Sequence, residues 1–185
     1  MRLKLLLLFP AVLSLALAQN LLTNGDFEQD LSVGWTIANE GSGTQTCDRS
    51  VTYHPDPDYE AMAYQYDNPG AAQITQTVDV PGVQLHVSFW AKFEQSGETS
   101  CWPAACFRVC YYDATSTLLG ETRYYHAALE AWSPSATFHP IRISTPDWTE
   151  YEFDVVTELA NNLPGVNPAQ VARVGVALYA YTYSG

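Results

Sequence analysis

Four cysteines, four histidines and twenty carboxylates are the side chains of this 185-residue chain with the widest chemical reach. Cys101-x4-Cys106-x3-Cys110, with Cys47 upstream, lacks the paired short knuckles of a structural zinc site, and no histidine sits close by. In an oxidising compartment an even count favours two disulfides over free or metal-bound thiols. Three connectivities are open; the one adopted joins Cys101 to Cys106 across Trp102-Pro103, and Cys47 to Cys110. His54, His86, His126 and His139 are scattered without ligand spacing. Asp56, Asp58 and Glu60 alternate through a Pro-rich turn and could converge on a cation if it folds back, although a solvated acidic loop is the commoner outcome. Glu121, Glu130, Glu150, Glu152 and Asp154 show no pairing of the kind that glycoside hydrolysis needs. There is no Gly-x-Ser-x-Gly elbow, no His-Glu-x-x-His pair and no phosphate-cradling glycine loop. The expectation is a protein without a catalytic centre of its own.

The elements that must carry these residues repeat with period two. Ala72, Ile74 and Val78 alternate with Gln73, Thr75 and Thr77; Leu85, Val87, Phe89 and Ala91 alternate with His86, Ser88, Trp90 and Lys92. Phe107, Val109 and Tyr111 alternate with Arg108, Cys110 and Tyr112. Tyr151, Phe153 and Val155 alternate with Glu152 and Asp154, and Val174, Val176 and Leu178 with Arg173, Gly175, Ala177 and Tyr179. Such runs predict antiparallel strands with one face on a core and the other turned outward. Asn24-Gly25, Gly41-Ser42-Gly43, His54-Pro55-Asp56-Pro57, Asn68-Pro69-Gly70 and Pro81-Gly82 separate them as turns. About eight or nine short strands predict a single all-β domain over residues 19–185, two antiparallel sheets packed as a sandwich. Helix signals are sparse: one turn over Ala127 to Trp132, and a short start at Asn167-Pro168-Ala169-Gln170. A long loop is expected from about Ala127 to Pro146.

Residues 1–18 read as a signal peptide: Arg2 and Lys4, the apolar run Leu5 to Leu17, then Ala16-Leu17-Ala18 ahead of Gln19. Export to the extracellular or periplasmic space follows, and no membrane span is expected. The net charge of −12 becomes about −14 without those two basic residues. A chain this acidic repels phosphate backbones and anionic lipid, so nucleic acid is a poor partner.

Asn20-Leu-Leu-Thr-Asn-Gly-Asp-Phe-Glu28 followed by Gly34-Trp35 resembles the opening of the galactose-binding-like jelly rolls, within them the carbohydrate-binding modules of families four, nine and twenty-two. The resemblance continues in order through Ala71 to Val80 with Pro81-Gly82, Leu85 to Lys92, Trp148 to Val155 and Ala172 to Tyr179. It implies a jelly roll that binds a glycan without a covalent step. It also implies packing roles for Trp35 and Trp148, and a structural calcium (Ca2+) held by Glu28, with Asp26 nearby. Family members end on one more strand with an acidic pair, which this sequence does not reach by Tyr183-Ser184-Gly185. That predicts an open C-terminal sheet edge, available for self-association or strand addition, and with it an alternative role as a structural or adhesive surface protein. Sugar recognition needs flat aromatic faces and planar polar groups. The outward set Trp90, Arg108, Tyr112, Tyr179 and Tyr181 supplies them, with Gln73 and His86 at its margin. Otherwise the long loop covers Trp90 and Tyr179 as a second small core, and Tyr124-Tyr125-His126 with Trp132 line one end of a cleft.

Overall fold

The computed structural model describes residues 20–53, 58–95, 103–127 and 132–183. The segment read as a signal peptide, Cys101, Asp56 and most of the turn expected at Ala127 to Trp132 lie outside the described residues. Among the described residues ten strands form: β1 (Thr36–Gly41), β2 (Thr44–Ser50), β3 (Glu60–Tyr66), β4 (Gly70–Asp79), β5 (His86–Ala91), β6 (Ala104–Tyr112), β7 (Leu118–Ala127), β8 (Phe138–Arg142), β9 (Thr149–Asp154) and β10 (Arg173–Thr182). They build a jelly-roll β-sandwich. One layer is a six-stranded sheet in the order β1-β4-β10-β6-β7-β8; the other consists of two ribbons, β2-β3 and β5-β9. All pairings are antiparallel except β7 with β8, which run parallel, a departure from the fully antiparallel sheets expected. Among the described residues no helix is long and apolar enough to cross a membrane.

Alternation decides which side chains meet between the layers. Register aligns Ile74, Leu178, Phe107 and Tyr124 in one row across β4, β10, β6 and β7, all facing the ribbons. Phe89 of β5 closes on that row from above, stacked 3.8 Å from Phe107 and edge-on to Tyr124 at 5.2 Å. Trp35 is buried as expected, its indole N–H donating to the Asn24 carbonyl at 2.8 Å. Trp148 donates to the Tyr53 carbonyl at 3.1 Å. Burial of each large apolar side chain contributes about 1.5–3 kcal/mol.

Several expectations are corrected. The opening segment Leu22 to Glu28, on which the family resemblance begins, is turns and irregular chain, with Asn24 and Phe27 at positive φ. β10, the last described strand, lies inside the sheet, hydrogen-bonded to β4 on one side and β6 on the other. It presents no open edge, so strand addition at a C-terminal edge has no vacancy there. The Cys47–Cys110 pairing does not fit this fold, and the Cys101–Cys106 pairing involves a residue outside those described. Among the described cysteines, Cys47, Cys106 and Cys110 are unbonded. Cys47 sits on β2 between the layers, its Sγ 3.5 Å from the Gln73 carbonyl, whereas Cys110 points outward from β6. The sheet itself separates them, which no disulfide geometry can bridge.

Val155 does not extend β9 but opens helix α1 (Val155–Asn162). Val155, Leu159 and Leu163 recur every four residues and are fully buried, as one helical face requires. Asp154 occupies the N-cap position but does not cap, because its carboxylate lies 3.1 Å from His86. Glu158 turns into the core, where its carboxylate accepts from Thr122 Oγ1 at 2.7 Å and Asn162 Nδ2 at 2.7 Å and lies 2.6 Å from His139 Nδ1. The Thr122 hydroxyl in turn meets Tyr111 Oη at 3.2 Å. The 3₁₀ turn Pro168–Gln170 appears where a short helical start was read.

Two outcomes test this packing. Glu158→Ala strands the Thr122 hydroxyl and the Asn162 amide and should cost about 2–4 kcal/mol in urea unfolding, with Thr122→Val costing less. Alkylation of denatured, unreduced protein should label Cys47 and Cys110, and a peptide linking the two would refute the layering.

Candidate functional site

The outer face of the six-stranded sheet collects what alternation leaves over from the core. One row across β4, β10, β6 and β7 reads Gln73, Tyr179, Cys106, Tyr125. A neighbouring row reads Ala71, Tyr181, Ala104, Ala127, and another Thr75, Ala177, Arg108, Arg123. The small residues Ala104 and Cys106 form a low floor beside tall aromatic walls. Trp132, from the segment between β7 and β8, packs over that floor. Its ring stacks on Tyr125 at 4.3 Å and lies nearly parallel to Tyr181, 6.2 Å away at 13°. Its backbone N–H donates to Tyr125 Oη at 2.9 Å. Tyr179 and Tyr181 stand 5.5 Å apart. Trp132 thus covers part of the face over a small second core of Ala104, Cys106 and Tyr125, with Tyr179 and Tyr181 half-buried around it.

Charge on this face is organised by one carboxylate. Glu121 accepts from Arg108 through two parallel bonds, Nε to Oε1 at 3.0 Å and Nη2 to Oε2 at 2.9 Å, and it also binds Arg123 Nε. The guanidinium of Arg123 packs over the rings of Trp132 (4.7 Å) and Phe138 (5.0 Å), and that of Arg108 over Tyr179 (5.3 Å). Burial pushes the Glu121 carboxyl up, but hydrogen bonds and charge from Arg108 and Arg123 outweigh it and hold the group below its ordinary value. Burial raises the Tyr181 phenol to about 12, which keeps it a neutral O–H donor at physiological pH. Burial also raises the Cys106 thiol to about 12, so it is no nucleophile.

Two clefts of about 420 Å³ each flank the Trp132–Tyr181 pair. Arg123, Trp132, Ser133 and Phe138 line one, while Tyr179, Tyr181, Tyr183 and the Gly41 and Gly70 backbone help line the other. Gly41 is at φ +80°, and a side chain there would collide with the Pro69 carbonyl, so the cleft rim needs glycine.

Of the residues singled out from sequence, Arg108, Tyr179, Tyr181 and Gln73 come together on this face. Tyr112 shares it but stands further along β6, opposite Arg173, away from the aromatic group. Trp90 does not belong. It projects from β5 on the opposite layer, 60% exposed and paired with Glu150. His86 lies on that layer too, within 3.1 Å of Asp154 and 3.4 Å of Glu152. Of the trio before the long loop only Tyr125 joins the face, since Tyr124 packs into the core and His126 bonds the Ile143 carbonyl at 2.8 Å. Arg123 and Phe138 were not foreseen. The signal for Arg123 was present in Glu121-x-Arg123-x-Tyr125, an outward alternation along β7. For calcium, Glu28 is exposed and accepts from the Tyr59 backbone N–H at 2.9 Å, and Asp26 accepts from Glu28 N–H at 3.4 Å. Among the described residues no three His, Cys, Asp or Glu side chains converge.

No protein-family model matches this sequence, and no curated protein matches it. Solved structures share its architecture. The enzymatically active domain of tailspike protein 4 of bacteriophage CBA120 aligns over 90% of this chain with a TM-score of 0.54 and 16% identity, this chain spanning a fifth of it. A family 61 carbohydrate-binding module, TmCBM61, solved in complex with β-1,4-galactotriose, aligns over 91% of both chains with a TM-score of 0.51 and 13% identity. At such identities the likeness is one of fold.

The Glu121 cluster has a pH signature. A carboxyl lowered by folding contributes stability that is complete above its unfolded value, near 4.5, and is lost as pH falls through the folded value. Urea midpoints should therefore drop between about pH 5 and 3, with a shallower slope in Glu121→Gln. Glu121→Ala leaves two largely buried guanidinium groups unpaired and should cost about 3–5 kcal/mol at neutral pH.

Proposed function

We propose that this protein is a secreted, non-catalytic glycan-binding module whose ligand lies across the outer face of the six-stranded sheet. The observation that carries the reading is the ridge formed by Trp132 and Tyr181, with a cleft on either side. Sugar rings present axial C–H groups that pack on aromatic faces, and their hydroxyls need planar donors and acceptors at the edges. Gln73, Arg108 and the neutral Tyr179 and Tyr181 phenols provide those partners beside the rings. A chain long enough to fill both clefts would cross the ridge and stack there, so the minimum ligand is an oligosaccharide rather than a single sugar. That TmCBM61 carries a galactan oligomer on a similar fold supports the ligand class. The fold by itself does not name a function, because the tailspike domain of the same architecture is enzymatically active.

The revised site makes the test specific. In pull-downs on insoluble polysaccharides and on a glycan array, the wild-type protein should be retained, and Trp132→Ala and Tyr181→Ala should each lose about tenfold or more in affinity. Trp90→Ala should bind as wild type, because its ring is on the other layer. Loss of retention in Trp90→Ala with Trp132→Ala unaffected would move the site to the β5-β9 ribbon and sink this assignment.

A further inference from the structure

Basic residues are scarce after the leader: Arg49, Lys92, Arg108, Arg123, Arg142 and Arg173 are all there are. Four of the six, Arg108, Arg123, Arg142 and Arg173, stand on the outer face of one sheet, by the register of β10, β6, β7 and β8. Glu150, Glu152 and Asp154 stand on the opposite layer, along β9. The same face also carries Glu40, Asp79 and Glu121, and Arg173 pairs with Asp79 at 2.8 Å, so it is the geometry around Arg123 that sets this site apart.

Arg108 and Arg123 are largely removed from water, with 22% and 19% of their side chains exposed, and they share one carboxylate, Glu121. Two guanidinium charges against one carboxylate leave a net positive charge in a partly dry site. Such a charge is costly to hold unless an anion joins it. Arg108 is already engaged through Nε and Nη2, whereas Glu121 takes only Nε of Arg123. Arg123 also lines the cleft it shares with Trp132, Ser133 and Phe138, and none of these described lining residues bears a negative charge. A guanidinium backed by aromatic rings presents its remaining N–H groups as a fork that fits a carboxylate.

We propose that the Arg123 cleft receives the carboxylate of an acidic sugar, so that the glycan bound on this face contains uronic acid residues. The inference rests on the glycan-binding reading of the same face and names the substrate class within it. The carboxylate pairs with Arg123 while the uncharged part of the chain stacks on the Trp132–Tyr181 ridge. The overall negative charge of the protein does not forbid this, because exposed charges beyond about 8 Å are screened at physiological salt while a half-buried pair is not.

The experiment is calorimetric titration of the mature protein with oligosaccharides of galacturonic, glucuronic and mannuronic acid, each beside its methyl ester, and with a panel of neutral glycans. Methyl esterification keeps the shape and removes the charge, so the comparison needs no variant. At least one acid oligomer should bind about tenfold or more tightly than its ester. In Arg123→Gln the ratio of acid to ester affinity should fall toward one, and Arg123→Lys should keep part of it. If every ester matches its acid, or only neutral glycans bind, the acidic-sugar proposal is overturned and the glycan-binding reading stands. If nothing in either panel binds, both fall together.

Discussion

Strand β10 is the member on which the rest of the sandwich depends. It pairs along its whole length with β4, from the first half of the chain, and over Arg173 to Tyr181 with β6, from the second. Those long-range ladders satisfy its backbone polar groups in the interior of the sheet, where none could be left unpaired at small cost. Period two then divides its side chains without exception: Val174, Val176, Leu178 and Ala180 enter the core, and Tyr179 and Tyr181 leave it. A slip of one residue would invert both faces at once, burying the tyrosines and exposing the aliphatic row. Core and candidate binding surface are therefore set by the same register.

The outer face lies between two simpler arrangements. A wholly apolar covering would give a third layer, and a wholly polar one would give an ordinary solvated sheet. Instead small residues, Ala104 and Cys106, leave room for Trp132 to pack, while Glu121 gathers Arg108 and Arg123 into fixed positions beside it. The rings support the guanidinium groups and the carboxylate aligns them, so the aromatic and polar side chains of this face are held in fixed positions. The inner network of Tyr111, Thr122, Glu158 and His139 performs the matching task on the other side of β7, tying helix α1 to the sheet through a buried carboxylate. Thr122 and Glu121 are adjacent in sequence, and alternation sends one to each network.

Much of this was legible in the sequence. Alternation in β4, β5, β6, β9 and β10 disclosed the strands and the all-β sandwich, and it placed Gln73, Arg108, Tyr179 and Tyr181 on a common outward set. Short-range signals were also sufficient for the turn at Pro168, and the four-residue spacing of Val155, Leu159 and Leu163 could have disclosed α1. It was obscured because Val155 also continues the period-two pattern of Tyr151 and Phe153, and a local pattern cannot say which period wins until the buried partner is known.

What the sequence by itself determined is which face of each strand is apolar, because that depends only on the two-residue repeat of the strand backbone. What only the tertiary structure decided is which strands share a sheet and in what order. Trp90 and Tyr179 are both outward residues on convincing strands, yet they lie on opposite layers, since β5 pairs with β9 and β10 with β4 and β6. Cys47 and Cys110 are likewise parted by the sheet, and Trp132 joins the site by folding back from a loop that has no period to read. Strand order and loop docking arise from contacts between residues far apart in the chain, where the free energy is a sum over the whole core and no local spacing encodes it.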